Sequence, residues 1–341
     1  MKYISALLNI AIFLIPFGVL ASFSPSAGVR IYLIDLTIGL LFVFILIQIV
    51  RQKILFWKLP IIKAFGVFVI VALISLLINT FHLTFQEFQA SFFYWVRFVC
   101  YGSLIVVPFF LSDKQISLIP FKLFIAGIIF TIFGYLQYFF YSDLRNLYYL
   151  GWDEHLYRFF STFLDPNFAA AFLVLTFVLG IGLLKDLYSN SVIASHRRSN
   201  LRRVWDCFVP RNDEKVFQTI KNWFILLGTI ITIPAIFLTY SRSGLIMFGI
   251  SLVVFLVLIK QIKWIIMSIL ILGIGFVFIP KDLGGEGVNL LRTASINARF
   301  ESYEKGVEIF KSSPIYGVGF NAYRYAQIDR DFIDKNPETN H

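Results

Sequence analysis

Leu40-Leu41-Phe42-Val43-Phe44-Ile45-Leu46-Ile47-Gln48-Ile49-Val50 is apolar at every position but one. A strand of a membrane barrel alternates apolar and polar residues over roughly 10 positions, and this run does not alternate. Backbone in hydrocarbon must satisfy its own hydrogen bonds, so the run reads as helix. Extended back to Ile31, it reaches the roughly 20 residues that a bilayer crossing needs.

The same signal recurs along the chain. About nine spans meet the length criterion, near Ile4–Ala21, Ile31–Val50, Ile61–Asn79, Phe92–Leu111, Ile116–Tyr141, Asn167–Leu184, Trp223–Tyr240, Gly244–Ile259 and Trp264–Ile279. The expected fold is therefore an all-α polytopic transmembrane bundle. A chain of 341 residues that is 58% hydrophobic and only 15% charged lacks the polar surface of a soluble domain of this size. The first run follows Lys2 and ends near the small residues Ala21 and Ser22, as a cleaved signal would. A retained first helix is the preferred reading, because the later spans need no removable signal.

A net charge of +10 invites a nucleic-acid partner. Its distribution argues against one: excess Lys and Arg in a membrane protein marks cytoplasmic loops. Arg51, Lys53 and Lys58 follow the second span, and Arg197, Arg198, Arg202, Arg203 and Arg211 crowd the long loop 185–221. Lys260 and Lys263 precede the last span. All three groups fall on one side if the spans alternate, so the N-terminus is expected in the cytoplasm. Loops 80–91 and 142–166 and the tail after Pro280 are expected outside. The domain expectation is a transmembrane region, 1–280, followed by an extracytoplasmic segment, 281–341. Cys100 lies in an apolar run and Cys207 in a basic loop, so no disulfide is expected between them.

Ionisable residues within spans are costly and tend to face a cavity or pathway. Asp35 and Arg97 are such residues, both assigned toward the outer ends of their spans. Arg158 and Asp165 lie in the outer loop, and Arg242 interrupts two spans in Thr239-Tyr240-Ser241-Arg242-Ser243-Gly244. Arginines gathered on one face suit a phosphorylated lipid, because the guanidinium offers paired donors and stays charged where water is scarce. In the tail, Phe300, Tyr303, Val307 and Phe310 share one helical face, ended by Pro314, Gly317 and Gly319. Metal signals are weak: Asp329-Arg330-Asp331 is a chance-level pattern, and His82, His155, His196 and His341 show no ligand spacing.

Three segments together resemble a known family. Ser161-Thr162-Phe163-Leu164-Asp165-Pro166-Asn167 resembles the G-T-F-x-[ND]-P-N helix entry of the O-antigen ligase and Wzy-type O-antigen polymerase superfamily, with Ser in place of the usual Gly. Thr239-Tyr240-Ser241-Arg242-Ser243 resembles its T-x-S-R-[GS] turn. Arg299 through Tyr303, with Pro314-Ile315-Tyr316-Gly317-Val318-Gly319, resembles its R-x-x-x-[WY]…P-[LI]-x-G-x-G segment, and Asp35 resembles a recurrent early Asp.

The resemblance implies a metal-independent GT-C-type membrane glycosyltransferase without a cofactor, placed in the bacterial cytoplasmic (inner) membrane with its active face outside. The implied donor is a glycan on undecaprenyl diphosphate. The acceptor would be another glycan, a lipid-core sugar or a protein hydroxyl, and the remaining partners would be membrane lipids rather than nucleic acid. Arg242 and Arg299 correspond to donor-diphosphate arginines. His341 is the positional candidate for the acceptor base, so these three are the catalytic expectations. Asp35, Arg97, Arg158, Asp165, Asn167 and Tyr303 are the substrate-binding expectations. Family members continue with further helices after that histidine, so a longer natural chain is expected. A transporter or flippase of lipid-linked glycans is the alternative. It would use the same arginines without chemistry, but polar groups gathered at one face fit a transporter less well than polar groups at the midplane.

Overall fold

The computed structural model describes residues 2–26, 29–52, 59–144, 155–195, 213–261, 273 and 294–333. Among these, seven helical segments are long and apolar enough to cross a membrane: Lys2–Ala21, Leu33–Arg51, Pro60–His82, Phe85–Phe110, Asp113–Phe140, Pro166–Leu187 and Thr219–Leu238. Arg242–Leu258 is a shorter apolar helix. The expected ninth span, 264–279, lies outside the described residues apart from Gly273. The protein is a polytopic α-helical membrane protein. Its outward-facing side chains agree: Ile61, Val67, Phe68, Ile70, Val71 and Ile74 are all exposed on one helix. A contiguous apolar surface of that kind needs lipid as its solvent.

The chain forms two compact units, residues 1–116 with 291–341, and residues 117–290. In the first, α1 (Lys2–Leu14) packs along α2 (Leu33–Gln52), and α4 (Phe85–Gly102) packs against both α2 and α3 (Pro60–Ile78). A small antiparallel hairpin joins α1 to α2, with β1 (Ser22–Ser26) pairing Ser22 to Tyr32 and Phe23 to Ile31 of β2 (Val29–Tyr32). These strands take Ile31 out of the span expected to start there. The helix starts at Leu33 because Asp35 Oδ2 accepts the Tyr32 N–H at 2.8 Å, a capping bond at the helix entrance.

The fourth span also starts elsewhere than expected, at Phe85 rather than Phe92. Thr84 and Glu87 form a capping box: the Thr84 N–H donates to Glu87 Oε2 at 2.8 Å and the Glu87 N–H to Thr84 Oγ1 at 3.4 Å. Most of the expected loop 80–91 is therefore helix. Arg97 falls near the middle of the span Phe85–Phe110, not toward one end.

In the second unit, α6 (Pro166–Ser195) packs along α7 (Asp213–Leu238) and α8 (Arg242–Leu258), with α5 (Asp113–Phe140) contributing from Ser117 onward. Both α6 and α7 reach into the segment 185–221 that the charge pattern reads as loop. Lipid offers no hydrophobic drive between helices, so close backbone approach at small residues supplies the packing. A Cβ at Gly127, Gly180 or Gly244 would collide with Thr176, Thr229 or Ala170 respectively. Around these contacts lie Phe130, Phe159, Leu173, Phe177, Ile236 and Phe248, all buried.

Candidate functional site

Of the segment after α5, the described residues 158–162 fold inward. Asp143 and Leu156 pair as an isolated antiparallel bridge. The Leu144 N–H donates to His155 O at 2.8 Å, and the Tyr157 N–H to Ser142 O at 2.9 Å. Beyond it Arg158, Phe159, Phe160, Ser161 and Thr162 are all buried. A Cβ at Gly134 would strike the Phe159 ring, so that glycine makes room for it. Gln137 of α5 clamps the segment: its Oε1 accepts the N–H groups of Phe160 and Ser161 at 3.0 and 3.1 Å, and its Nε2 donates to Arg158 O at 3.2 Å. Sequence reasoning missed Gln137. The available signal was a lone amide in an apolar run, where its polar atoms demand partners.

Ser161 has φ +51°, a left-handed conformation that costs an L-residue roughly 1–2 kcal/mol. This is the position where the family pattern has glycine. The serine offsets part of the strain by donating its hydroxyl to Phe130 O at 2.8 Å. Three residues on, Leu164 is also left-handed, at φ +56°. Asp165 Oδ1 then accepts the N–H groups of Asn167 and Phe168 at 2.6 and 3.1 Å. With Pro166 at the first helical position, this is the expected start of a capped helix.

The second motif meets the first here. Ser241 Oγ donates to Asn167 Oδ1 at 2.9 Å and accepts the Gly244 N–H at 3.2 Å, capping α8. The buried Arg158 reaches the same turn, donating from Nε to Thr239 O at 2.9 Å and from Nη2 to Tyr240 O at 3.4 Å. The Phe159 N–H donates to Leu238 O at 2.9 Å. Tyr240 is left-handed at φ +51° and fully buried, and burial pushes its phenol up to about 12. The result is a braced turn that places the half-buried Arg242 at the first position of α8.

Asp35 and Arg97 also come together, in the other unit. Arg97 Nη2 lies 2.7 Å from Asp35 Oδ2 and bonds the carbonyl of Arg30. The guanidinium carbon lies 4.9 Å from the Tyr94 ring centroid and 5.7 Å from that of Tyr32. The Tyr101 hydroxyl donates to Asp35 Oδ1 at 2.8 Å. The pair borders a cavity of about 350 Å³ with otherwise largely apolar walls, among them Leu36, Leu40, Phe93 and Val96.

Arg299 and Tyr303 lie exposed on α9 (Ala294–Ser312), along with Phe300, Val307 and Phe310 of its apolar face. The turn after α9 explains the third motif. Gly317 and Gly319 have φ +66° and +104°. Ser75 Oγ donates to Tyr316 O at 2.5 Å and Asn79 Nδ2 to Gly317 O at 3.1 Å, so the turn is fastened to the last turn of α3. A short helix, α10 (Tyr323–Ile328), follows it. His341 lies outside the described residues.

In class, then, this is a polytopic helical membrane protein in which buried polar braces hold an arginine-bearing turn. Residues 227–340 match a family model described as O-antigen ligase. The match supports the resemblance to the O-antigen ligase and Wzy-type superfamily, and the matched residues contain both Arg242 and Arg299. No curated protein and no solved structure matches the chain.

Proposed function

We propose that the protein transfers a glycan from a polyisoprenyl diphosphate carrier to an acceptor hydroxyl at the outer face of the cytoplasmic membrane. The observation that carries this reading is the braced turn: Asn167, Arg158 and Ser241 all serve to hold Arg242 at one place. A preorganised cation contributes most where charge develops during reaction, because it need not reorganise at that moment.

In this mechanism the acceptor oxygen forms a bond to the anomeric carbon while the bond from that carbon to the diphosphate oxygen breaks. The electron pair leaves with the diphosphate, and the acceptor proton passes to a base, for which His341 is the candidate from the resemblance. Arg242 stabilises the departing diphosphate, and Arg299 is assigned the same duty from its matching motif. Direct displacement inverts the anomeric centre. No step requires a metal.

The test uses the full chain in liposomes supplied with a lipid-diphosphate-linked glycan and an acceptor. Arg242→Ala is expected to lower transfer about 10²- to 10³-fold, the usual cost of removing one transition-state charge stabiliser. Arg242→Lys recovers only part, because an ammonium lacks the paired planar donors. Undiminished transfer by Arg242→Ala overturns the role.

A further inference from the structure

The helix α9 has three different sides. Ile309 is buried against its own unit, with Lys305 and Gly306 half-buried beside it. Glu301, Glu304 and Glu308 are exposed on a second side. Phe300, Tyr303, Val307 and Phe310 form the third, and they too are exposed, at 66%, 73%, 50% and 64%. At 3.6 residues per turn the centres of the three sides lie roughly 120° apart around the axis. Protein covers the first side and water suits the second. We propose that the third lies in the bilayer interface, so that α9 is a helix seated in the plane of the membrane surface. The inference stands apart from the donor reading: the helix lies there whatever Arg299 binds.

Where the helix is tied identifies what covers the stripe. The turn after α9 carries the stripe onward through Ile315 and Tyr316, both exposed. Tyr316 O accepts the Ser75 hydroxyl and Gly317 O the Asn79 amide, both near the end of α3. The Ser91 hydroxyl donates to Asn321 O at 3.5 Å, and Phe320 packs on Phe98 of α4 with ring centroids 5.6 Å apart. Beside the α3 bonds, Ile74, Leu77 and Ile78 are exposed on a segment long and apolar enough to span. The α9 stripe therefore begins where the exposed surface of a span ends. Phe81 and Phe85, in the turn after α3, are also exposed. Aromatic side chains collect at that depth, where tyrosine can bury its ring and keep its hydroxyl wet. Three glutamates with Arg299, Lys305 and Lys311 put six charges into the 19 residues of α9, too many for a crossing of hydrocarbon. These charges sum to zero, so apolar burial rather than attraction to anionic headgroups supplies the contact.

The test uses the full chain in liposomes, with Cys100→Ser and Cys207→Ser and one fluorophore-labelled cysteine, either Phe310→Cys or Glu308→Cys. Quenching by nitroxide-bearing phospholipids is compared with quenching by aqueous iodide. The label at 310 is expected about 5–10 Å below the headgroup boundary, the depth of an interfacial helix's apolar face, and shielded from iodide. The label at 308 is expected to show the reverse. Iodide reaching both labels equally overturns the proposal. So does a label at 310 shielded from both quenchers, the result if the second unit, a further segment or a second copy covers the stripe. A depth seen only with anionic phospholipid overturns it too, because the charge balance of α9 calls for equal depth in zwitterionic bilayers. A second measurement needs no variant. The wild-type protein is photolysed with a phospholipid carrying a diazirine near the ester end of an acyl chain. Labelling of Tyr303, Phe310 or Tyr316 together with α3 supports the proposal, and labelling that stops at α3 overturns it.

Discussion

Each of the two compact units holds an arginine against polar partners, half-buried Arg97 in one and buried Arg158 in the other, and they treat it differently. In the first, Arg97 is met by Asp35, with the Tyr32 N–H and the Tyr101 hydroxyl filling the remaining carboxylate positions. In the second, Arg158 is met by two backbone carbonyls of the turn 239–240. The first arrangement cancels charge locally. The second spends the guanidinium on the shape of a turn, and that turn ends in Arg242. Charge type alone makes Arg97, Arg158 and Arg242 equivalent candidates for substrate phosphate. Their partners separate them: Arg97 is bound to a carboxylate, Arg158 is a positioning residue, and Arg242 is the residue positioned.

The largest effect that could break this contrast is expected at the ion pair. Removing one member of a buried pair costs more than the pair contributes, because the other charge loses its compensation. Asp35→Ala is expected to destabilise by about 3 kcal/mol, the low end for such pairs because this one is partly hydrated. Adding Arg97→Met to Asp35→Ala should recover at least half of that loss, seen as a rise in the thermal unfolding midpoint of the detergent-solubilised protein. If the two substitutions simply add, they are uncoupled. Arg97 would then be available to a ligand, and the contrast between the units would fail.

Next in size is Arg158. Arg158→Met is expected to cost about 2 kcal/mol by leaving carbonyls of the turn with fewer donors, and transfer activity should fall with it as Arg242 loses its support. Arg158→Lys should not restore activity, since one ammonium cannot reproduce the separate Nε and Nη2 bonds. A variant that keeps wild-type transfer would show that the turn holds its form without this brace.

The spans were legible because each is a long local run, and lipid forces such a run into helix. Span starts were less so. The Thr84-x-x-Glu87 signature was present in the sequence, but the apolar run beginning at Phe92 drew the boundary away from it. The hairpin before α2 is too short to show a period of two. The site was half legible. Asp165, Asn167, Ser241 and Arg242 stand out as parts of recurring patterns, yet their meeting depends on a Ser241–Asn167 bond across 74 positions, which no local pattern encodes. Gln137 belongs to no such pattern and still holds three backbone groups of the segment. The apolar face of α9 is legible as a stripe at helical spacing, but its neighbours are not: Phe300, Tyr303, Val307 and Phe310 are exposed in their own unit.

The smallest effect sharpens the contrast at Ser161, where the second unit departs from its family pattern. Two opposing contributions of similar size meet at this residue. The left-handed backbone penalises any side chain by about 1–2 kcal/mol, while the Oγ bond to Phe130 O returns about 1 kcal/mol. Ser161→Ala keeps the penalty and loses the bond, so it should lower stability by about 1 kcal/mol. Ser161→Gly loses the bond but also the steric penalty, at some cost in unfolded-state entropy, so it should change stability by less than about 0.5 kcal/mol. The comparison is made on thermal midpoints of the two variants under one condition, with transfer activity measured beside them. Glycine at or above alanine in both readouts is the expected order. Alanine clearly above glycine would mean that the hydroxyl and the backbone angle contribute little, and that the serine is held in place by the packing of Phe159 and Phe160 instead.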